Sequence, residues 1–140
     1  MEAEPKHSVG GPTVDIISVV SDEDCASLVA DIVGHPKGLV SPKEFAILNP
    51  PLSKSQISKR LKKLEEAGVV AHEKSPDQSP GEPRKYYYLT EQAREVFDRN
   101  NMYAPGPLEE MFNRINHSEE FLELLEKPRP AVDVSTVKGQ

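Results

Sequence analysis

The sequence lacks the features that mark membrane, secreted and disulfide-stabilised proteins. Its one cysteine, Cys25, cannot form a disulfide within the chain. No apolar run approaches the roughly 18 residues that a membrane-spanning helix needs. Residues 1–5 lack the basic patch and apolar stretch of a secretory signal. These absences predict a soluble protein of the reducing cytoplasm, with no membrane partner.

The residue types of catalytic and metal sites are also sparse. The histidines are scattered without the spacing of metal ligands, and they are His7, His35, His72 and His117. Neither a glycine-rich phosphate-binding loop nor a nucleophile–histidine–acid pattern is present. We therefore expect no enzyme activity, no metal and no cofactor.

Positive charge is scarce overall but concentrated in one segment. The formal net charge is −6, from 17 basic and 23 acidic residues. Residues 53–63 nevertheless hold five basic side chains and no acid, so the other residues together carry −11. A basic face on an acidic body can still bind phosphates, while the acidic remainder should weaken non-specific binding.

The chain length predicts one folded domain with polar tails. We expect disorder in residues 1–12 and 127–140, which are polar and rich in proline. Residues 13–99 form the predicted domain, and residues 107–126 a further amphipathic helix, with an interruption at 116–118 as an alternative.

Capping residues mark the starts of four helices in the domain. Ser21, Ser41, Ser53 and Thr90 each precede an amphipathic stretch. The second and third begin the Ser-x-x-Glu and Ser-x-x-Gln patterns of a capping box. Residues 14–20 are apolar and β-branched, and their pattern leaves a strand and a short helix open.

Two β-rich segments follow the third of these helices. Residues 69–74 and 84–89 are separated by a loop with three prolines and a glycine, which predicts a hairpin with a long tip. A two-residue apolar step at 39–40 is long enough for a short strand. The fold class is therefore mainly α with a small β-hairpin (α+β), in the order of a winged helix-turn-helix.

The stretches SKSQISKRLKKLEEAGVV and PRKYYYLTEQAREVF fall where that fold has its recognition helix and its wing. Together they resemble the winged-helix repressors of bacteria and archaea, among them the ArsR-like, PadR-like and MarR-like regulators, over residues 21–99. The resemblance implies a sequence-specific transcriptional regulator that binds double-stranded DNA. Its recognition helix, residues 53–67, would enter the major groove, and its wing, residues 74–85, would contact the backbone or the minor groove. The cysteine pairs of metal-sensing ArsR-like proteins are absent, which argues against a thiolate metal sensor.

The recognition helix supplies most of the candidate DNA contacts. On a helical wheel Ile57, Leu61 and Leu64 share one side, which must face the core. Lysines and short polar side chains occupy the opposite side and its flanks, and these are suited to base edges and phosphates. The candidates are Lys54, Ser55, Gln56, Ser58, Lys59, Lys62 and Lys63. The alternative is a lysine-rich face that is merely solvated.

Two residues of the wing, Arg84 and Lys85, are further candidate DNA contacts, and the alternative is that they only flank a strand. Tyr86, Tyr87 and Tyr88 could stack on bases, but packing against the helices is the better interpretation. Cys25 lies near a helix start, where a lowered thiol pKa would permit redox sensing. A small packing residue is the favoured alternative for this cysteine.

The C-terminal helix is more apolar than a domain of this size needs. Its candidate dimer residues are Leu108, Met111, Phe112, Ile115, Phe121, Leu122 and Leu125. In the families that the chain resembles, such a helix commonly pairs subunits, which implies a homodimer. The alternative is packing against its own domain.

The leading alternative function is a winged-helix module for protein contacts within a transcription or other assembly, and RNA binding is a third. The acidic body favours the protein-contact module, and the basic segment favours DNA binding. No sensor domain is evident and the sequence identifies no small-molecule effector, so a ligand would have to use the dimer interface.

Overall fold

A computed structural model describes residues 11–132, which form seven helices and a two-stranded sheet. The helices are α1 (Gly11–Val19), α2 (Glu23–Gly34), α3 (Pro42–Leu48), α4 (Lys54–Glu66), α5 (Glu91–Arg99), α6 (Pro105–Arg114) and α7 (Glu119–Leu125). The strands are β1 (Val70–Lys74) and β2 (Lys85–Leu89). This order confirms the predicted fold class, mainly α with a β-hairpin between the fourth and fifth helices.

Three of the four predicted helix caps are confirmed. The Ser41 and Ser53 hydroxyls accept hydrogen bonds from the third residue of α3 and of α4, and both capping boxes are complete. Thr90 caps α5 in the same way. The cap of α2 is Asp22 rather than the predicted Ser21, whose hydroxyl donates to the carbonyl of Ser18 (2.7 Å) at the end of the preceding helix.

The segment that could have been a strand or a helix is helical. Residues 14–19 lie within α1, where Ile16 is buried in the core while Val14 and Ile17 are exposed. A buried apolar residue with exposed apolar residues on either side is typical of a helix that lies on the surface of the domain.

The hairpin pairs β1 with β2 in antiparallel register from Val70–Leu89 to Lys74–Lys85. Val40 forms a one-residue antiparallel bridge to β2, because its backbone N–H and C=O both bond to Tyr87, at 2.9 and 2.8 Å. The short strand predicted at residues 39–40 is therefore present as one bridge.

A glycine turn connects α4 to β1. Gly68 has a φ of +85°, a backbone conformation that is costly for any residue with a Cβ atom. The Val69 amide then bonds to the Leu64 carbonyl (2.9 Å), and the Thr90 hydroxyl bonds to the Gly68 carbonyl (2.6 Å). These bonds fix the end of α4 against the hairpin and the start of α5.

The core lies between α2, α4, α5 and the inner face of the sheet. Ile57, Leu61 and Leu64 are buried on one side of α4, which confirms the predicted inner face. They pack in one cluster with side chains of α2 and α5, including Leu28 and Val96. The outer side of α4 is therefore directed away from the core.

The predicted C-terminal helix 107–126 is two helices, which confirms the alternative of an interruption at residues 116–118. α6 ends at Arg114 and α7 begins at Glu119, with Ser118 capping α7 through its bond from the Phe121 amide. α6 packs closely along α2: a Cβ atom added at Gly34 would lie 2.9 Å from the backbone oxygen of Leu108. The polar break lets α6 and α7 bring their buried side chains Phe112 and Phe121 together.

The predicted tails are described only in part. Residues 1–10 and 133–140 lie outside the described residues, so disorder there stays a prediction. Pro12 belongs to α1, and Arg129 is held by the carboxylate of Glu44, so the ordered chain extends past the boundaries expected at 12 and 127. Within residues 11–132, no helix is long and apolar enough to cross a membrane.

Candidate nucleic-acid interface

The first part of α4 presents an exposed basic and polar face. The side chains that carry this face, all exposed, are Lys54, Ser55, Ser58, Lys59 and Lys62. Ser55, Lys59 and Lys62 lie opposite the buried side of α4, whereas Lys54 and Ser58 lie at its edge. All five come before the two acidic residues of the helix, Glu65 and Glu66. We call these five residues the basic face. It combines positive charge with short hydrogen-bonding groups within the first nine residues of the helix.

Gln56 is exposed beside the basic face but has a structural role in the helix cap. The side-chain Oε1 of Gln56 accepts a hydrogen bond from the backbone N–H of Ser53 (2.8 Å). The backbone N–H of Gln56 in turn donates to the Ser53 hydroxyl (3.1 Å). A bidentate contact to adenine would need the same oxygen. The predicted base contact therefore competes with the capping box.

Two basic residues of α4 point to the start of α2 instead of joining the basic face. Arg60 lies 3.2 Å from carboxylate oxygens of both Asp22 and Asp24, and Lys63 Nζ lies 3.8 Å from Asp22. Burial tends to raise the pKa of Asp22, but the Asp24 amide and the Arg60 charge outweigh it and lower that pKa. Of the predicted DNA contacts, Lys63 is thus partly neutralised by an acid of its own chain.

The wing loop is held in place at three points. Lys43 of α3 donates to the carbonyl of Gly81 (2.6 Å), and Lys127 pairs with Glu82 (2.9 Å). Arg84, which is exposed, donates to the backbone and side-chain oxygens of Gln78 (3.0 and 3.2 Å). The loop between β1 and β2 is consequently tied to α3 and to the C-terminal segment.

The second predicted wing residue, Lys85, is half-buried, with its ammonium 5.6 Å from the centre of the Tyr87 ring. Tyr86 and Tyr87 are buried and Tyr88 is half-buried, so packing rather than base stacking describes the first two. This agrees with the favoured interpretation for Tyr86 and Tyr87.

Sequence reasoning missed a buried ionic cluster beneath the helix-turn-helix. Arg129 donates to both carboxylate oxygens of Glu44, at 2.8 and 3.0 Å, and its guanidinium lies 4.5 Å from the Tyr86 ring centre. The backbone N–H of Lys37 donates to Nδ1 of His35 (3.0 Å), so Nε2 carries the proton donated to Glu44 (3.1 Å). The only signal in the sequence was Glu44 as the partner of Ser41 in a capping box.

The Glu44 carboxylate is kept ionised in this cluster. Burial raises its pKa, but hydrogen bonds from His35 and Arg129 outweigh burial and lower the pKa to about 2. A residue from the end of the described chain therefore fixes the first turn of α3 through a buried charge pair.

A second polar group holds the turn between α3 and α4. Asn49 donates to the carboxylate of Asp31 (2.7 Å) and accepts from the Ser27 hydroxyl (2.8 Å). Burial raises the pKa of Asp31 to about 7, against the smaller opposite effect of the Asn49 bond. Both contacts anchor the turn to α2.

Cys25 is fully buried, and its pKa is raised to about 11 by burial and by the neighbouring Asp22 charge. A redox-sensing thiol needs the opposite shift, toward the thiolate. The packing interpretation of Cys25 is supported.

The candidate dimer residues divide into an inner and an outer set. Phe112 and Phe121 are buried, with ring centres 5.8 Å apart, and Leu108 packs against the core cluster. Leu125 is half-buried. Met111, Ile115 and Leu122 are 61%, 53% and 47% exposed. The inner residues pack within their own chain because α6 and α7 fold back onto α2 and α3, so only the outer three are free to meet a partner.

The helix-turn-helix of α3 and α4, the hairpin wing and the helices around them define a winged helix-turn-helix protein. No protein-family profile and no curated protein sequence matches the chain. A solved structure is similar over 100% of this chain and 98% of its own, with a TM-score of 0.81 and 15% identity. It belongs to a protein with a GntR superfamily winged-helix-turn-helix domain from Halomicrobium mukohataei. At this identity the likeness shows the fold and does not distinguish the ArsR-like, PadR-like and MarR-like groups.

Proposed function

We propose that the protein is a non-enzymatic regulator of transcription that binds double-stranded DNA through the basic face of α4 and through the wing. The observation that carries the proposal is the basic face itself. Its lysines and serines are exposed together on the helix that this fold uses for recognition, while the rest of the chain is strongly acidic.

Within this interface, Ser55, Ser58 and Lys59 suit base edges in the major groove, because short polar side chains and a lysine near the helix start reach deepest. Lys54 and Lys62 suit phosphates on either side of the groove. Lys63 contributes less than the sequence suggests, since Asp22 already offsets its charge.

The wing adds backbone contacts in this proposal. Arg84 is exposed on the loop, and its guanidinium retains donors beyond those given to Gln78. Lys85 lies at the base of the same loop. Because the loop is tied to α3 through Lys43, the wing and α4 would approach one duplex as a fixed pair.

We also propose that the protein acts as a homodimer. The exposed apolar side chain of Met111 lies on α6, that of Ile115 directly follows α6, and that of Leu122 lies on α7. Pairing through them would double the basic face and match a two-fold symmetric site.

Salt dependence of duplex binding tests the DNA proposal. A duplex selected from a random pool would be titrated with the Lys54→Ala/Lys62→Ala variant, which removes the two proposed phosphate contacts, over a range of salt concentrations. We expect the slope of log affinity against log salt to fall by about 2, at roughly 0.9 per lost phosphate contact.

The matched control is Lys37→Ala/Arg99→Ala, which removes the same charge from exposed positions away from α4. Its slope should stay close to that of the unaltered protein. Equal slopes for both variants, or no salt-dependent duplex binding at all, would refute the DNA interface and favour the protein-contact module.

A further inference from the structure

A pocket of about 440 Å³ lies between α3, α4 and β2, next to the basic face. This volume is within the range of small-molecule sites, about 300–1,000 Å³. Neither the fold nor the proposed DNA contacts require a cavity here, because a recognition helix reads DNA with its outer face.

The floor of the pocket is apolar. It is formed by Ala46 and Ile47 of α3, Ile57 and Leu61 of α4, and the Tyr87 ring of β2. Ile57, Leu61 and Tyr87 are buried and fixed by the core, so the floor is preformed. Such a surface binds the hydrocarbon or aromatic body of a ligand by removing it from water.

The rim of the pocket is mostly cationic. Lys43, Lys54 and Lys85 come from three different elements and surround the apolar floor. The Lys85 ammonium lies 5.6 Å from the centre of the Tyr87 ring, so this group is held beside the floor, whereas the Lys43 ammonium bonds to the Gly81 carbonyl of the wing loop. Glu120 of α7 is the single acid there.

We propose that this pocket binds a small organic carboxylate with an apolar body, and that binding releases DNA. The floor would take the apolar body, and the lysines would pair with the carboxylate. The second half of the proposal rests on the proposed function. Lys54, Ser58 and Lys85 line the pocket and are also candidate DNA contacts, so a bound anion would draw the same groups away from phosphates.

Direct binding tests the site without DNA. The probes are 1-naphthoate and octanoate, each compared with its neutral primary amide, with titration followed by calorimetry and by amide NMR shifts. We expect saturable binding of the carboxylates, much weaker binding of the amides, and shifts concentrated at residues 46–47 and 57–58. Saturable binding of neither carboxylate, or equal binding of the amides, would overturn the site.

Variants of the rim test the charge of the ligand. Lys54→Met should weaken carboxylate binding about tenfold, whereas Lys59→Met, the same change on the same helix but outside the pocket, should leave it unchanged. Glu120→Gln should strengthen binding, because it removes the one acid from the rim. Weaker binding by Glu120→Gln would contradict an anionic ligand.

Duplex titrations with and without saturating 1-naphthoate test the release of DNA. We expect a weaker apparent duplex affinity for the unaltered protein and a smaller effect in Lys54→Met. An unchanged duplex affinity would overturn the release of DNA. The calorimetric and NMR titrations would still decide whether the pocket binds a carboxylate. Failure of the unaltered protein to bind any duplex would refute the proposed function and the release step, again leaving the pocket to the NMR and calorimetric results.

Discussion

At the scale of single residues, one oxygen of Gln56 is needed both for the capping box and for the predicted contact to adenine. Its Oε1 accepts from the Ser53 amide in the capping box. We expect Gln56→Ala to lower the free energy of unfolding by about 0.5–1 kcal/mol, while Gln56→Glu, which keeps a capping oxygen, retains most of it. Urea unfolding measures both. Equal stability of the two variants would show that the cap contributes little and would leave Gln56 to base contacts.

The charge pair of Arg129 and Glu44 predicts a larger effect. Arg129→Met leaves a fully buried carboxylate with fewer donors, which should cost about 3–5 kcal/mol at pH 7. The pKa of Glu44 is about 2 in the folded protein, below its usual value of 4.5. Its stabilising contribution is therefore full above about pH 5 and is lost as the pH falls toward 2.

It follows that the stability difference between Arg129→Met and the unaltered protein should shrink as the pH falls from 6 to 3. Thermal unfolding across that range is the measurement. Arg114→Met is the control, because its pair with Glu110 is exposed and should contribute under about 1 kcal/mol at any pH. A constant difference for Arg129→Met across the range would contradict the assigned role of Glu44.

At the scale of helices and strands, local sequence patterns were sufficient to predict most elements of the domain. Ser41, Ser53 and Thr90 mark helix starts through side chains that bond within three residues, so the caps can be recognised in sequence. The hairpin is likewise defined by two β-rich segments and the turn residues between them. The inner face of α4 follows from spacing alone.

Contacts between distant segments could not be predicted in this way. The basic run around Lys63 predicts a DNA contact, but the position of Lys63 beside Asp22 depends on how α4 crosses the start of α2. Arg129 lies 85 positions from Glu44, and no local pattern connects them. The break between α6 and α7 was visible as polar residues, but the direction in which each apolar face turned was not.

The packing of α6 on α2 provides a prediction about an element. Gly34→Ala would place a methyl group 2.9 Å from the Leu108 carbonyl oxygen, a backbone atom that cannot move without shifting the helix. We expect a loss of about 1–3 kcal/mol and weaker protection of α6 amides in hydrogen exchange. The control is Gly106→Ala in α6, where no atom lies within 4 Å of the added group, and it should be neutral or slightly stabilising. Similar losses for both variants would argue against close packing at Gly34.

At the scale of the whole molecule, charge and apolar surface are distributed unevenly. The basic segment of +5 lies on a chain whose other residues carry −11, so one copy offers a small attractive surface on a repulsive body. A dimer would present two such surfaces to one duplex. The second half-site would then bind at a high effective concentration, which compensates for weak single contacts.

The homodimer is the prediction that belongs to this scale. Sedimentation at micromolar concentration should give twice the mass of the chain. In the dimer the recognition helices should lie about 34 Å apart, so that they meet successive major grooves. Met111→Lys/Ile115→Lys should yield a folded monomer, because both side chains are more than half exposed and contribute little to their own core. The control is Val14→Lys/Ile17→Lys on α1, which places the same charges on the other exposed apolar pair among the described residues. Dissociation by the α1 variant alone would move the interface to α1, and a monomeric unaltered protein, with or without duplex, would rule the dimer out.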